Sequence, residues 1–530
     1  MKITNSGIPL KSFYSPQDID NDDYQLNIVA DPGKYPYTRG IYPDMYRQAS
    51  WMKAPLCGFG LPEDTNKRLK FLIDQGAAAY HGQDIISVVC DTPTIMGYDC
   101  DHPLAHNEIG RCGVSISSLE DMRRLLVGLP MEKLRAFFPV YSTAPIILAM
   151  YIACGEERGL PPERLSGIMA NFPLGGFIAD NLALFRPEVG LRLLVDTIEY
   201  CTKHTPHWIP MIFTAYNLRQ AGGNAVQEVA FYMAMAIAII EEAVRRGLSV
   251  DDFLPNFTWN MAIHEHFFEE IAKIRAARRI WARIARECFQ AKNPKAWCLK
   301  TSIQTAGDTL TAQQPLNNIV RSAIQALAGV LAGVQGMHVS AYDEGLDIPT
   351  EQAILVSLRT QQIIEEETGV ADVADPLGGS YYVESLTNNL EEEILKYMDK
   401  IESLGGYIAA LNKGYLQQEV ARASSERQKQ IETGQRIKVG LNKYVIEEVS
   451  PIESFSHGLE VKEVAIERIR NFKRARNHDK VKKALDSVRE AATGDSPLLP
   501  EFIQAVKAGA TLGEIIQTLQ ATFGQPSLNN

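Results

Sequence analysis

Two imidazoles flank a carboxylate in the run His264-Glu265-His266, a spacing that invites a metal ion. Read as the start of a helix, however, residues two apart point to different faces, and ligating histidines need a shared one. A second set of chemistry-bearing residues recurs in segments that should carry branched apolar side chains: Thr214, Thr258, Asn260, Thr301, Ser302, Gln304 and Ser340. Barrel interiors are ordinarily filled by Val, Ile and Leu, so a polar lining would let something polar thread through. The same residues could equally face loops or helix caps, and the sequence leaves both readings open. Other chemistries fail on spacing: there is no G-x-x-x-x-G-K-[ST], no G-x-G-x-x-G after a strand, no G-x-S-x-G and no H-E-x-x-H.

The elements that must position these residues alternate. From about 80 to 370, short apolar runs are followed by helical stretches, the pattern of repeated βα units. The candidate strands are 85–91, 112–118, 135–141, 166–172, 210–217, 253–260, 296–304 and 333–343, and the stretches between them carry 3.6-residue apolar stripes. Eight units in this span predict an α/β protein with a closed (β/α)8 TIM barrel over residues 51–385. Its active site would gather at the strands' C-terminal ends, which places Asp91, Tyr141, Phe172, Tyr216, Asn217, Asn260, Gln304 and Tyr342 near one mouth. Residues 1–50, rich in Pro, Gly, Asp and Tyr, predict an extended arm, and 386–530 a charged helical extension suited to docking a partner.

Composition narrows the class. The 530 residues are 45% hydrophobic, and Lys+Arg 53 against Asp+Glu 64 leaves −11 with the basic residues dispersed, which argues against nucleic acid or an anionic membrane as the main partner. No apolar run reaches 18 residues and the start MKITNSGIPLKSFYS lacks a signal-peptide core, so the chain reads as cytoplasmic. Eight cysteines without a C-x-x-C pair signal neither a disulfide framework nor a zinc site.

Three long stretches then carry a resemblance: YPYTRGIYPDMYRQASW, CGFGLPEDTNKRLKFLIDQG with DTPTIMGYDCDHP, and RTQQIIEEETGVADVADPLGGSYYVESLT. They resemble the large subunit of coenzyme B12-dependent acyl-CoA mutases, the group acting on methylmalonyl-CoA, isobutyryl-CoA and 2-hydroxyisobutyryl-CoA, and in these framework segments they look much like the 2-hydroxyisobutyryl type. The resemblance covers nearly the whole chain. It implies a barrel whose mouth faces adenosylcobalamin, with the thioester threaded along the axis and a radical 1,2-rearrangement started by homolysis of the cobalt–carbon bond. The family's cobalt-ligating D-x-H-x-x-G is absent: none of the ten histidines has Asp two residues before it. The resemblance therefore implies a separate small corrinoid-binding subunit, a hetero-oligomer, and no metal ligand on this chain.

Carried over residue by residue, the resemblance splits. Tyr216 is retained beside Asn217, which stands where relatives have a substrate-contacting His; an Asn amide donates to a carbonyl but cannot protonate it. Gln304, Lys295, His338 and Glu344 are retained, Glu344 matching a residue that binds the adenosyl ribose, with Ser340 in place of that residue's Asn partner. On the substrate side Ala170 replaces Gln, Asp180 replaces the Arg that binds a free carboxylate, Asn256 replaces an Arg that contacts CoA phosphates, and Ser302 replaces a His near the thioester. Leu56 matches the residue beside the migrating group, Ala54 the basic residue before it, and Val89 the position that recognises a hydroxyl. These replacements predict a mutase whose substrate has no free carboxylate: a small branched or hydroxylated acyl-CoA, or a substrate that is not a CoA ester, to which Asp180 would offer a partner for an ammonium or hydroxyl. The alternative is an inactive homologue serving as a scaffold subunit.

Overall fold

In Lys300–Thr305 the side chains alternate between half-buried (Lys300, Ser302, Gln304) and buried (Thr301, Ile303, Thr305), the period of two that a strand shows when helices cover one face of its sheet. The computed structural model describes residues 2–10, 30–77, 79–80, 83–180, 182–446 and 460–524. Nine strands carry the architecture: β1 (Met52–Lys53), β2 (Gln83–Ser87), β3 (Leu134–Phe138), β4 (Ser166–Met169), β5 (Trp208–Ile209), β6 (Ile212–Thr214), β7 (Thr258–Ile263), β8 (Lys300–Thr305) and β9 (Gly336–His338). One sheet has the order β1-β9-β8-β7-β6. The other runs from the short strand Ala79–Tyr80 through β2-β3-β4-β5. Strands β7, β8, β9 and β1 pair in parallel, as do β2 to β5. The α/β class with parallel strands joined by helices is thus as the sequence predicts.

The chain forms two compact units, 1–55 with 213–244 and 249–455, and 56–212 with 245–248 and 456–530. In the first, the helix-covered side of β7 and β8 is apolar. Trp259 stacks on Phe213 at 4.3 Å between ring centroids and meets Trp281 edge-on at 5.4 Å. Behind them the helix Phe267–Arg283 is buried along nearly its whole length despite six charged residues from Glu269 to Arg279. Each charge has a partner. The Lys273 ammonium donates to Glu228 at 2.7 Å, to Glu270 at 2.5 Å and to the Ala262 carbonyl, while Arg219 donates to Glu270 at 2.7 Å. Glu228 in turn accepts the Ala262 N–H at 2.7 Å, so the quartet is tied into β7. Further along, Arg275 reaches Asp375 and Glu384, Arg279 pairs with Glu391, and Arg278, its pKa pushed down to about 10 by burial and by Arg275 beside it, is held by the Ala332 and Thr38 carbonyls.

In the second unit the helix Ala144–Glu157 is apolar all round (APIILAMYIACG) and buried through Gly155, as such a helix must be. It packs on the helix Leu498–Ala508. The closing helix Leu512–Phe523 begins with a capping box of Thr511 and Glu514, and Asp99 accepts from both Thr511 and Gly513. Among the described residues no helix is long and apolar enough to cross a membrane.

Several expectations need correction. Residues 112–118 are not a strand: only Val114 makes a bridge, to Cys90, because Gly113 adopts φ +122 and packs against the Cys90 backbone where a Cβ would stand 2.2 Å away. The strand at 52–53, too short to show a period, was not foreseen. Residues 253–256 are helical, and that strand starts at Thr258. His264 is not on a helix; it follows the end of β7, and the helix begins at Phe267.

Removing one partner from the buried quartet leaves uncompensated charge. Lys273→Met is expected to lower stability by about 3–5 kcal/mol, read as a drop in the urea midpoint, because Glu228 and Glu270 would then face each other without the ammonium.

Candidate functional site

One face of β7, β8 and β9 carries a polar row. In register across the sheet stand Asn260 beside Ser302 beside Gly336, and Ala262 beside Gln304 beside His338. Ser302 donates to the Trp259 carbonyl at 3.2 Å and to Asn260 Oδ1 at 3.4 Å, and Thr258 Oγ1 is buried without a partner. A Cβ on Gly336 would press on Met52 and Ser302 at 3.2 and 3.3 Å, so glycine keeps the row open there. Thr301 and Ser340 do not belong to it: Thr301 is on the covered side, and Ser340 is buried with its hydroxyl on the Thr305 carbonyl at 3.0 Å. Asn260, Ser302 and Gln304 therefore share one half-buried face.

Parallel pairing gives the row two ends. At the C-terminal end, Tyr216 opens the helix Tyr216–Gln220 just after β6, and its phenol accepts the Gly307 N–H at 3.3 Å. Desolvation, with the nearby Glu344 carboxylate adding to it, holds that phenol protonated well above its ordinary range. Glu344 accepts the Ala341 N–H at 2.7 Å and stands 3.7 Å from His338 Nε2. Asn217 follows Tyr216 on the same turn and is half-buried. At the other end, Asn256 precedes β7, and Lys295, exposed, precedes β8. Tyr216, Gln304, His338 and Glu344 are thus brought to one end of the row, and Asn256 and Lys295 to the opposite one.

In the second unit, Ser87, Phe137, Ile168 and Ile209 form one rung across β2 to β5. Val89 continues this side of β2, its backbone held by Cys57 and Val114, and Ala170 extends β4, bonded to Phe138. Leu56 is half-buried. Asp180 accepts a short hydrogen bond from the Tyr141 phenol. It stands in the turn after Gly175–Phe177, before the helix Pro187–His204.

A cluster at the C-terminal end of β7 and β8 was missed by sequence reasoning. His264 Nε2 is 3.3 Å from Asp308 Oδ2, Arg427 donates to the same oxygen at 2.5 Å, and Gln220 and Asp308 bond each other twice. Burial lowers the His264 pKa. Burial also opposes the Asp308 charge, but His264 and Arg427 outweigh it and hold the carboxyl well below its usual range. The available signal was a charged residue three positions past a strand, in LTA-preceding TAGDT, the place where barrel sites collect. Among the described residues no group of three or more His, Cys, Asp or Glu could hold a metal ion.

Comparison with known proteins bears on this geometry. A family model described as methylmalonyl-CoA mutase matches residues 3–525. The chain is 40% identical over 523 residues to the 2-hydroxyisobutanoyl-CoA mutase large subunit of Aquincola tertiaricarbonis, covering 98% of this chain and 92% of that protein. It is 35% identical over 529 residues to the mitochondrial methylmalonyl-CoA mutase of Homo sapiens, covering 99% and 69%, and 36% identical over 523 residues to the methylmalonyl-CoA mutase of Rhizobium meliloti (strain 1021), covering 98% and 72%.

Glu265, next to the cluster, pairs with Lys438 and with Arg436 at 2.6 Å. Burial raises its pKa, but His264, Lys438 and Arg436 together bring it down to about 2. A depressed carboxylate contributes stability above its unfolded pKa and loses it as pH falls toward the folded value. The stability difference between wild type and Glu265→Gln is therefore expected to be full at pH 7 and to vanish between about pH 4.5 and pH 2, measured by denaturant titration across that range.

Proposed function

The chain belongs to the methylmalonyl-CoA mutase family, and from that membership we infer that it is the large, substrate-binding subunit of an adenosylcobalamin-dependent mutase acting on a small branched or hydroxylated acyl-CoA. It is an isomerase of the intramolecular-transferase kind. The observation that carries the reading is the polar row of Asn260, Ser302, Gln304 and His338, in register on one face of the sheet, because an ordinary barrel would fill that side with aliphatic side chains.

Members of the family use adenosylcobalamin, which when bound supplies the radical that removes and returns a substrate hydrogen. The residues at the C-terminal end of the row fit such a cofactor in part. Glu344, a half-buried carboxylate with one oxygen on a backbone N–H, has the acceptor chemistry a ribose diol needs. Ser340 does not fit as its companion, since its hydroxyl is already given to Thr305. The Aquincola relative, matched over 92% of its length, is named a large subunit, which supports a cobalt ligand on a small corrinoid-binding subunit.

On the substrate side, Tyr216 and Gln304 would orient the thioester by hydrogen bonds, and Asn217 would donate to its carbonyl without transferring a proton. Lys295 and Asn256, at the far end of the row, would meet the CoA tail. Carried over from the family, Leu56 would stand beside the migrating group, with Val89 and Ala170 as further substrate positions. The Asp180 carboxylate disfavours a second carboxylate on the substrate, several kcal/mol if desolvated, which supports a monocarboxylic acyl group over methylmalonyl. Excluding water and stray hydrogen donors is then the protein's main task.

Reconstituted with adenosylcobalamin and a small corrinoid-binding subunit, the protein is expected to give a substrate-dependent EPR signal with 2-hydroxyisobutyryl-CoA or a branched acyl-CoA and none with methylmalonyl-CoA. Silence with every acyl-CoA tried would overturn the reading. Glu344→Gln is expected to weaken adenosylcobalamin binding about tenfold, some 1.4 kcal/mol, in a titration of the same complex.

A further inference from the structure

We propose that Asp308 is a positioning residue for Tyr216, acting through a reciprocal pair of hydrogen bonds with Gln220. The helix that carries Tyr216 has five residues, Tyr216–Gln220, far too few to hold its own orientation. What its side chains grip must therefore orient it. Arg219 grips inward, to Glu270 at 2.7 Å and the Gly223 carbonyl at 3.0 Å. Gln220 grips the turn Gly307–Thr309: its Nε2 donates to Asp308 Oδ1 at 3.2 Å, and its Oε1 accepts the Asp308 N–H at 2.9 Å. Tyr216 itself receives the N–H of Gly307, the residue before Asp308. Helix and turn are thus joined at three points within two consecutive residues of the turn.

The turn must be rigid for this joint to matter, and Asp308 makes it so. Its second oxygen accepts from Arg427 at 2.5 Å and lies 3.3 Å from His264 Nε2, linking the turn to the helix Tyr415–Glu432 and to the end of β7. One carboxylate therefore faces the Tyr216 helix with one oxygen and a cationic anchor with the other. The fit is close: a Cβ on Gly307 would stand 3.1 Å from the Tyr216 oxygen, so a small shift of the turn moves the phenol directly. The inference rests on the proposed function only for the statement that the phenol meets substrate; the coupling of Asp308 to Tyr216 is a property of the chain alone.

The test uses the full chain labelled with 3-fluorotyrosine, in which the Tyr216 fluorine resonance is identified by its loss in Tyr216→Phe. Asp308→Ala and Gln220→Leu are each expected to shift or split that resonance while the remaining tyrosine signals stay in place. Asp308→Asn, which keeps an acceptor for Gln220, is expected to restore most of the wild-type position. In the reconstituted enzyme Gln220→Leu is expected to lower kcat about tenfold with KM within twofold. A folded Gln220→Leu protein with an unmoved Tyr216 resonance would overturn the proposal, even if Asp308→Ala fails to fold. Wild-type protein inert toward every acyl-CoA would instead count against the functional reading and leave the resonance experiment decisive for this one.

Discussion

Charge denied access to water organises the first unit. The helix Phe267–Arg283 carries Glu269, Glu270, Lys273, Arg275, Arg278 and Arg279 into surroundings where an isolated ion would be very costly, so each must meet a fixed partner. Those partners are spread over the chain: the helix after β6, the helix Ala225–Arg245, β7 through the Ala262 backbone, the region around Asp375 to Glu391, the Thr38 and Ala332 carbonyls for Arg278, and the Asn5 and Ser6 N–H groups for Glu269. Such a network contributes little net stability compared with an apolar core of the same volume. What it contributes is constraint, because each of these segments must stay where its partner charge or carbonyl is met.

That geometry sets the two sides of the sheet. On the covered side Trp259, Met261 and Ile303 are fully buried, which leaves Asn260, Ser302 and Gln304 on the other by the alternation of the strand alone. Arg219 connects the two levels. It belongs to the buried quartet and to the same short helix as Tyr216, so the phenol's location is inherited from charges that never touch a substrate. A residue can matter to the chemistry without approaching it.

Much of this was legible in the sequence, for identifiable reasons. The βα alternation reveals itself through long apolar helices and short runs such as LRAFF and KTSIQT, and most strands lie where those runs fall. The polar residues 260, 302 and 304 share a face because strand parity is dictated by chemistry common to all chains. Strand β1 escaped because two residues carry no period, and 112–118 deceived because the alternation of Val114 to Ser117 follows directly on a glycine, Gly113, with a backbone that a strand does not adopt. Thr301, one position out of step with Ser302, falls on the covered face by the same parity. The cluster of His264, Asp308 and Arg427 joins residues 163 positions apart, which no local pattern encodes. The exchange of whole positions on the substrate side, by contrast, was visible only through resemblance, since nothing in Ala170 or Asn256 itself announces a site.

The wall behind Asn260 has one more property. Trp259 and Trp281, with centroids 5.4 Å apart and planes 68° to each other, are close enough for their excited states to mix. Such a skewed indole dimer imprints a paired band of opposite signs on the far-ultraviolet dichroism. The protein thus carries, directly beneath its polar row, a built-in chiroptical gauge of that wall's integrity, one that needs no dye and no added chromophore.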